Sequence, residues 1–120
     1  MSLQVKGRAI QTNEEGYLID PEDWDHDVMD VLIKQHEAEG HKPLSETAIG
    51  LIDYFREYYG EYQKHPTMNQ LIKELGMRQA DNFSEAEEYK TFLYEMFPHG
   101  PIQMLSKLSG LPSPGNENES

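Results

Sequence analysis

The sequence predicts a mostly α protein (α+β), an orthogonal helical bundle with an N-terminal β-hairpin and a flexible C-terminal arm. Apolar side chains recur at helical spacing in five segments, and helix-start signals or a proline precede these segments. Short loops rich in glycine and proline separate them, which favours a compact bundle over a coiled coil. With 120 residues, one core and one domain are expected. We assign the domain to residues 1–112 and the flexible arm to residues 113–120.

The hairpin is predicted from the first twenty residues. Val5 and Ile10 lead into a polar turn at residues 12–16, where Gly16 is available for positive φ. Residues 17–19 form the predicted return strand. A lone hairpin is only marginally stable in water, so we expect it to pack on the helices.

The first two helices are predicted from caps and stop signals. Asp20 is a candidate N-cap, and Pro21 suits the first position of a helix that ends at Gly40. The second helix begins at Ser45 and is stopped by the pair His65–Pro66. Both helices have apolar stripes that predict burial of one face.

Three shorter helices follow. The Thr-Met-Asn-Gln sequence at 67–70 predicts a capping box, and Gly76 is the predicted end of that helix. A second capping box at 84–87 predicts the start of the next helix, after a loop at 78–83. The last helix is expected from Pro101 to about Ser109.

Composition limits the classes of partner. The chain has 22 acidic and 10 basic residues and a net charge of −12, which disfavours nucleic acid and anionic membranes. Its 7 Tyr, 4 Phe and 1 Trp argue against a wholly disordered chain. The N-terminus has no apolar signal region, and the longest apolar runs are much shorter than a membrane span. We therefore expect a cytoplasmic protein.

Few residue patterns point to catalysis or cofactor binding. The chain has no cysteine, which excludes disulfides, thiolate metal sites and cysteine nucleophiles. The five histidines have no i, i+3 or i, i+4 pairs, so no helix is predicted to present two metal ligands. Phosphate-binding glycine loops and serine nucleophile motifs are missing from the sequence as well. We predict a non-enzymatic protein without a cofactor.

The helices predicted at 67–75 and 84–96 have roughly the spacing of a helix-turn-helix, although the connecting loop is long. A recognition helix needs basic or amide side chains toward the phosphates and bases. The second of these helices has four glutamates and a single lysine, Lys90. DNA binding is therefore the weaker hypothesis for this helix pair, and a structural role is favoured.

Several blocks of the sequence resemble the DsrC/TusE family, the gamma-subunit-like proteins of dissimilatory sulfite reductase and their sulfur-relay relatives in tRNA thiolation. The likeness covers about residues 6–116. The matching blocks are residues 7–18, 23–24 and 39–40, residues 56–59 with Pro66, Leu71 and Lys73, and residues 94–101 and 110–114. The resemblance implies a mostly helical fold with an N-terminal hairpin and a mobile C-terminal arm.

In the family this resemblance points to, the arm carries a sulfur-bearing cysteine near the chain end and presents it to partner enzymes. That position falls on Glu117, and the second cysteine of some members falls on Ser106. Neither side chain can hold a persulfide, because that chemistry needs a thiolate. The sequence also has Asn69 where members often have arginine, and Ala48–Ile49 in place of a His-Trp pair.

The resemblance therefore suggests a non-catalytic protein of sulfur metabolism that binds a sulfite reductase or sulfur-relay complex without carrying sulfur. The residues predicted to contact the partner are Lys107, Ser109, Gly110, Leu111 and Pro112. A structural alternative is that Leu111 and the preceding helix only pack on the core. Two functional alternatives are a helix-turn-helix-type transcriptional regulator and a sulfur-relay protein whose cysteines were replaced.

Overall fold

The computed structural model describes residues 2–78 and 85–114, and in these ranges the chain forms two strands and five α-helices. The elements are β1 (Ser2–Val5), β2 (Arg8–Gln11), α1 (His26–Ala38), α2 (Glu46–Tyr62), α3 (Met68–Arg78), α4 (Ala86–Met96) and α5 (Pro101–Leu108). The predicted fold class, mostly α with an N-terminal hairpin, is confirmed. Most of the predicted arm, residues 115–120, lies outside the described residues.

The hairpin lies closer to the N-terminus than predicted. β1 and β2 pair in antiparallel fashion, with Leu3 opposite Ile10. Their turn is Lys6–Gly7, where φ is 47° and 82°, as two-residue hairpin turns require. Leu18, in the predicted return strand, contributes only an isolated bridge to Thr12. The tight turn explains the difference, because it pairs the strands on either side of it before the predicted turn is reached.

The predicted first helix is divided in two. The Asp20 carboxylate accepts a hydrogen bond from the Glu22 N–H (2.9 Å) and caps only a 3₁₀ turn at Pro21–Asp23. Trp24 is extended, with φ −80° and ψ 138°. Asp25 then caps α1, and backbone hydrogen bonding contributes most to lowering the pKa of its carboxyl group.

The predicted starts of α2 and α3 are confirmed. Ser45 Oγ accepts a hydrogen bond in the first turn of α2. In the capping box of α3, Thr67 Oγ1 accepts from the Gln70 N–H (3.2 Å), and Gln70 Oε1 accepts from the Thr67 N–H (2.8 Å). These interactions are local in sequence, which makes them accessible to sequence reasoning.

Gly76 is not the end of α3, contrary to the prediction. The helix continues to Arg78, whose side chain forms an i, i+4 ion pair with Glu74 (2.6 Å). Leu75 is fully buried, so packing holds this turn in helical form despite the glycine. The predicted capping residue Ser84 lies outside the described residues.

Helix α5 holds the centre of the fold, because it contacts α1, α2 and α4. Ile102 and Leu105 have no exposed surface, and Leu111 beyond the helix is 2% exposed. The hairpin packs on α1, as expected for a hairpin too small to stand alone. None of the helices in the described ranges is long and apolar enough to cross a membrane.

Candidate functional site

The C-terminal end of α5 is closed by a left-handed turn. We call residues 107–112 the arm root. The Leu111 N–H donates to the Ser106 carbonyl (3.0 Å), and the Gly110 N–H donates to the Lys107 carbonyl (3.2 Å). This pair of bonds, with Gly110 at φ 71°, is the Schellman motif. It satisfies carbonyls of the last helical turn and fixes the direction in which the chain leaves the helix.

Two side chains from other elements hold the arm root. The Trp24 Nε1–H donates to the Leu108 carbonyl (2.9 Å). The Arg56 guanidinium donates to the carbonyls of Ser109 (3.1 Å) and Pro21 (3.0 Å). It also lies 4.6 Å from the centre of the Trp24 ring, a cation–π contact, and burial lowers its pKa. The arginine thus links the 3₁₀ turn at Pro21 to the arm root.

The last residues of the arm root are fixed by packing and by a histidine. A Cβ added at Gly110 would lie 2.6–2.8 Å from atoms of Trp24, so the backbone approaches the indole as closely as glycine allows. Leu111 is buried in the core. The His65 Nε2–H donates to the Pro112 carbonyl (2.8 Å), and burial lowers the pKa of His65.

The predicted site residues differ in accessibility. Ser106, one predicted sulfur-carrier position, is 0% exposed, and its hydroxyl donates to the Ile102 carbonyl (2.7 Å). Ser109 is equally buried, and Gly110 and Leu111 are also enclosed. Lys107 is partly exposed and Pro112 is exposed. Glu117, the other predicted sulfur-carrier position, lies outside the described residues.

A cleft beside the arm root was not predicted. It encloses about 350 Å³ and brings together His36, His41 and His99. The His36 and His41 rings are stacked with centroids 4.4 Å apart, and His99 meets His41 edge-on at 5.5 Å. Burial lowers the pKa of His36, which is 5% exposed. The cleft is not visible in the spacing of its histidines along the sequence, because they come from one helix and two separate loops.

This cleft, which we call the histidine cleft, does not have the ligand arrangement of a metal centre in the described residues. Within the described ranges, no three histidine or carboxylate side chains are placed to hold a metal ion together.

Helices α3 and α4, whose spacing suggested a helix-turn-helix, pack on each other. The exposed side of α4 carries Glu87, Glu88 and Glu95, whose charge opposes contact with phosphates.

Comparisons with known proteins agree with this architecture. The family model described as "DsrC like protein" matches residues 4–116. The sulfurtransferase TusE of Photorhabdus laumondii is 32% identical over 112 residues, covering 93% of this chain and 94% of the relative. The sulfurtransferase TusE of Escherichia coli K12 is 30% identical, with 93% and 95% covered.

Solved structures give the same result. The NMR structure of Allochromatium vinosum DsrC superposes with a TM-score of 0.75 at 33% identity, covering 96% of each chain. The crystal structure of the oxidized gamma-subunit of the dissimilatory sulfite reductase (DsrC) from Archaeoglobus fulgidus has a TM-score of 0.80 at 28% identity, with 97% and 98% covered. The family model spans nearly the whole chain, and relatives at 30% identity or more cover it; the chain therefore belongs to the DsrC/TusE family.

Proposed function

We propose that this protein docks on a sulfite reductase or sulfur-relay complex without carrying sulfur itself. Relatives are named sulfurtransferase TusE, and a structural neighbour is the gamma-subunit of dissimilatory sulfite reductase. The 120 residues include no cysteine, so they offer no thiolate to accept or pass on a persulfide. On this proposal the protein is cytoplasmic, acts by binding and is not an enzyme.

One observation carries the proposal: the arm root is firmly anchored although the chain has no thiol to deliver. Trp24, Arg56 and His65 each donate a hydrogen bond to a backbone carbonyl of this segment. Of these donors the Arg56 guanidinium is charged, and hydrogen bonds of charged groups contribute about 1.5–3 kcal/mol; the neutral indole contributes about 0.5–1.5 kcal/mol. This anchoring supports the proposal that the arm must still be presented to a partner in a fixed direction.

Serine cannot take over the sulfur chemistry at the position of the second cysteine. The Ser106 hydroxyl donates to a carbonyl of its own helix and has no exposed surface. A serine nucleophile needs a neighbouring base to remove its proton. In the described part of the chain, the only hydrogen bond of this hydroxyl is to Ile102, so the residue supports a structural role.

The proposal assigns roles to the arm root. Residues 1–112 form the domain, and residues 113–120 form the arm that enters the partner. Lys107 and Pro112 have exposed surface and make direct contact, whereas Ser109, Gly110 and Leu111 are enclosed and set the direction of the arm. With a net charge of −12, the chain favours a partner with a basic docking surface.

Binding to purified complexes tests this function. A dissimilatory sulfite reductase and a sulfur-relay complex are immobilised and titrated with the full chain, with a version ending at Pro112, and with a cysteine-bearing relative. We expect the full chain to bind one complex and to compete with the relative, and the shortened chain to bind at least about tenfold more weakly. If the relative binds and the full chain does not, the docking function is wrong.

A mass measurement tests the absence of sulfur transfer separately. The chain and a cysteine-bearing relative are incubated with a sulfane-sulfur donor and examined by intact-protein mass spectrometry. The relative gains sulfur, and we expect this chain to keep its mass. A stable sulfur adduct on this chain would contradict the non-carrying role even if docking is observed.

A further inference from the structure

The histidine cleft has a shape and lining suited to a small molecule. Its volume of about 350 Å³ lies within the usual range for ligand pockets, roughly 300–1,000 Å³. The lining comes from the loop after the hairpin, the C-terminal part of α1 with the following loop, and α5 with His99, two residues before it. Leu32, Met104 and Leu108 supply apolar surface, so the cleft combines one apolar wall with several polar groups.

A buried polar atom in the cleft wall has no partner. His36 is 5% exposed, and its Nε2 has no hydrogen bond partner in the described part of the chain. An unpaired buried nitrogen costs about 1–3 kcal/mol. His41 is stacked on this ring and is only partly buried, so its displacement would open His36 to a ligand.

Lys107 brings a positive charge to the same cleft. Its Cε and Nζ lie 2.7 and 3.0 Å from the place a Cβ on Gly16 would occupy, so glycine makes room for the lysine chain. Among the described residues, none of the ion pairs involves this ammonium group. A cation held at a cleft without a carboxylate partner is a natural site for an anionic group.

The start of α5 adds further donors. Gly100 is the N-cap, its φ is 118°, and no side chain caps this end. The first turn contains no acidic residue, and after Pro101, which has no N–H, the N–H groups of Ile102 and Gln103 precede the first intrahelical donor, Met104. His99 and Gln103 flank this end and line the cleft. Uncapped helix N-termini favour negative charge because their N–H groups and the helix dipole both attract it.

From these features we infer that the histidine cleft binds an oxyanion group, either a free inorganic ion or the head of a small organic anion. Lys107 and the start of α5 supply the charge, and the three imidazoles supply adjustable donors. The inference does not depend on the proposed docking function.

Other charges limit the affinity. Glu15 and Glu39 also line the cleft, and both are exposed at its edge, where solvent screens them. Glu37 and Glu39 favour protonation of His36, whereas burial, His41 and Lys107 oppose it. We therefore expect weak binding at neutral pH that tightens as the pH falls and His36 gains a proton.

The test is a pair of NMR titrations of the full chain, with inorganic phosphate and with phenyl phosphate, each against sodium chloride at matched ionic strength. We expect saturable shifts at His36, His99 and Lys107, and a rise in the measured pKa of His36, since an anion and a proton bind cooperatively. Tighter binding of phenyl phosphate, with added shifts at Met104 and Leu108, would identify an organic anion; equal affinity would identify an inorganic one. If neither phosphate causes more change than chloride, the inference is wrong.

Matched variants distinguish binding at a defined site from a general effect of positive charge. Lys107→Met should weaken binding about tenfold, because a charge-assisted hydrogen bond is lost. Lys42→Met removes the same charge from an exposed lysine outside the cleft and should leave the affinity unchanged. His99→Gln, at an exposed position, gives a second reading that does not disturb the core. Equal weakening by Lys107→Met and Lys42→Met would overturn the site.

Discussion

The substitution Gly110→Ala tests whether the contact with Trp24 fixes the arm root. Gly110 has φ 71°, and an alanine there must adopt the left-handed conformation, at a cost of about 1–2 kcal/mol. The added Cβ would also lie 2.6–2.8 Å from Trp24 side-chain atoms, below any ordinary contact distance. Moving the indole would strain its hydrogen bond to the Leu108 carbonyl and its contact with Arg56.

The two effects can be separated by a matched glycine. Gly40 follows the C-cap of α1 with φ 99°, and a Cβ there meets nothing within 4 Å. Gly40→Ala should therefore cost only the backbone strain, about 1–2 kcal/mol. Overpacking adds about 1–3 kcal/mol, so Gly110→Ala should lower the free energy of unfolding by about 2–5 kcal/mol.

Urea unfolding followed by far-UV circular dichroism measures both variants. With a urea dependence of about 1.5–2 kcal/mol per molar, the extra 1–3 kcal/mol lowers the midpoint of Gly110→Ala by about 0.5–2 M relative to Gly40→Ala. Equal midpoints for the two variants would mean that Trp24 does not require glycine at this position. The reasoning on the arm root would then be refuted.

Three further predictions concern single side chains. Ser106→Cys should give a thiol that reacts with a disulfide reagent only after unfolding, because the side chain is 0% exposed; rapid labelling of the native chain would contradict the burial of this position. Burial holds the pKa of His36 below the ordinary histidine value of about 6.5, so the unfolded chain takes up this proton first and stability falls as the pH drops below about 6.5. His36→Leu should reduce the change of the urea midpoint between about pH 7.5 and 5.5, and an unchanged pH dependence would exclude His36 as its cause. Arg56→Lys should cost about 1–3 kcal/mol, because Nη1 donates to both carbonyls while the planar guanidinium covers the indole, and the shorter lysine cannot keep both kinds of contact. The exposed Arg8→Lys is the control, and equal small losses for both would show that this arrangement is dispensable.

Local signals made much of the fold predictable from the sequence. The cap of α2 at Ser45 and the reciprocal bonds of Thr67 and Gln70 involve residues within three positions of each other. The helical path through Gly76 was not predictable in the same way, because it depends on burial of Leu75 against other helices. A glycine costs about 1 kcal/mol inside a helix, which tertiary packing readily offsets.

The candidate site was accessible to sequence reasoning only in part. Family resemblance located the arm root, but the enclosure of Ser109 and Leu111 follows from contacts with Arg56 and the core, which are distant in sequence. The histidine cleft depends on the same kind of long-range packing, since α1 and α5 must meet before His36 and His99 line one surface. Spacing rules within one helix do not report such a site.

The position of the tryptophan gives the protein a built-in optical probe. The chain has 1 Trp, and its indole contacts Gly110, lies 4.6 Å from a guanidinium and donates to the Leu108 carbonyl. All the indole fluorescence of the molecule therefore originates from a side chain that contacts the arm root. A displacement of that segment by a docking partner would change the emission directly, without a label or a substitution, provided that the partner's own tryptophans are subtracted.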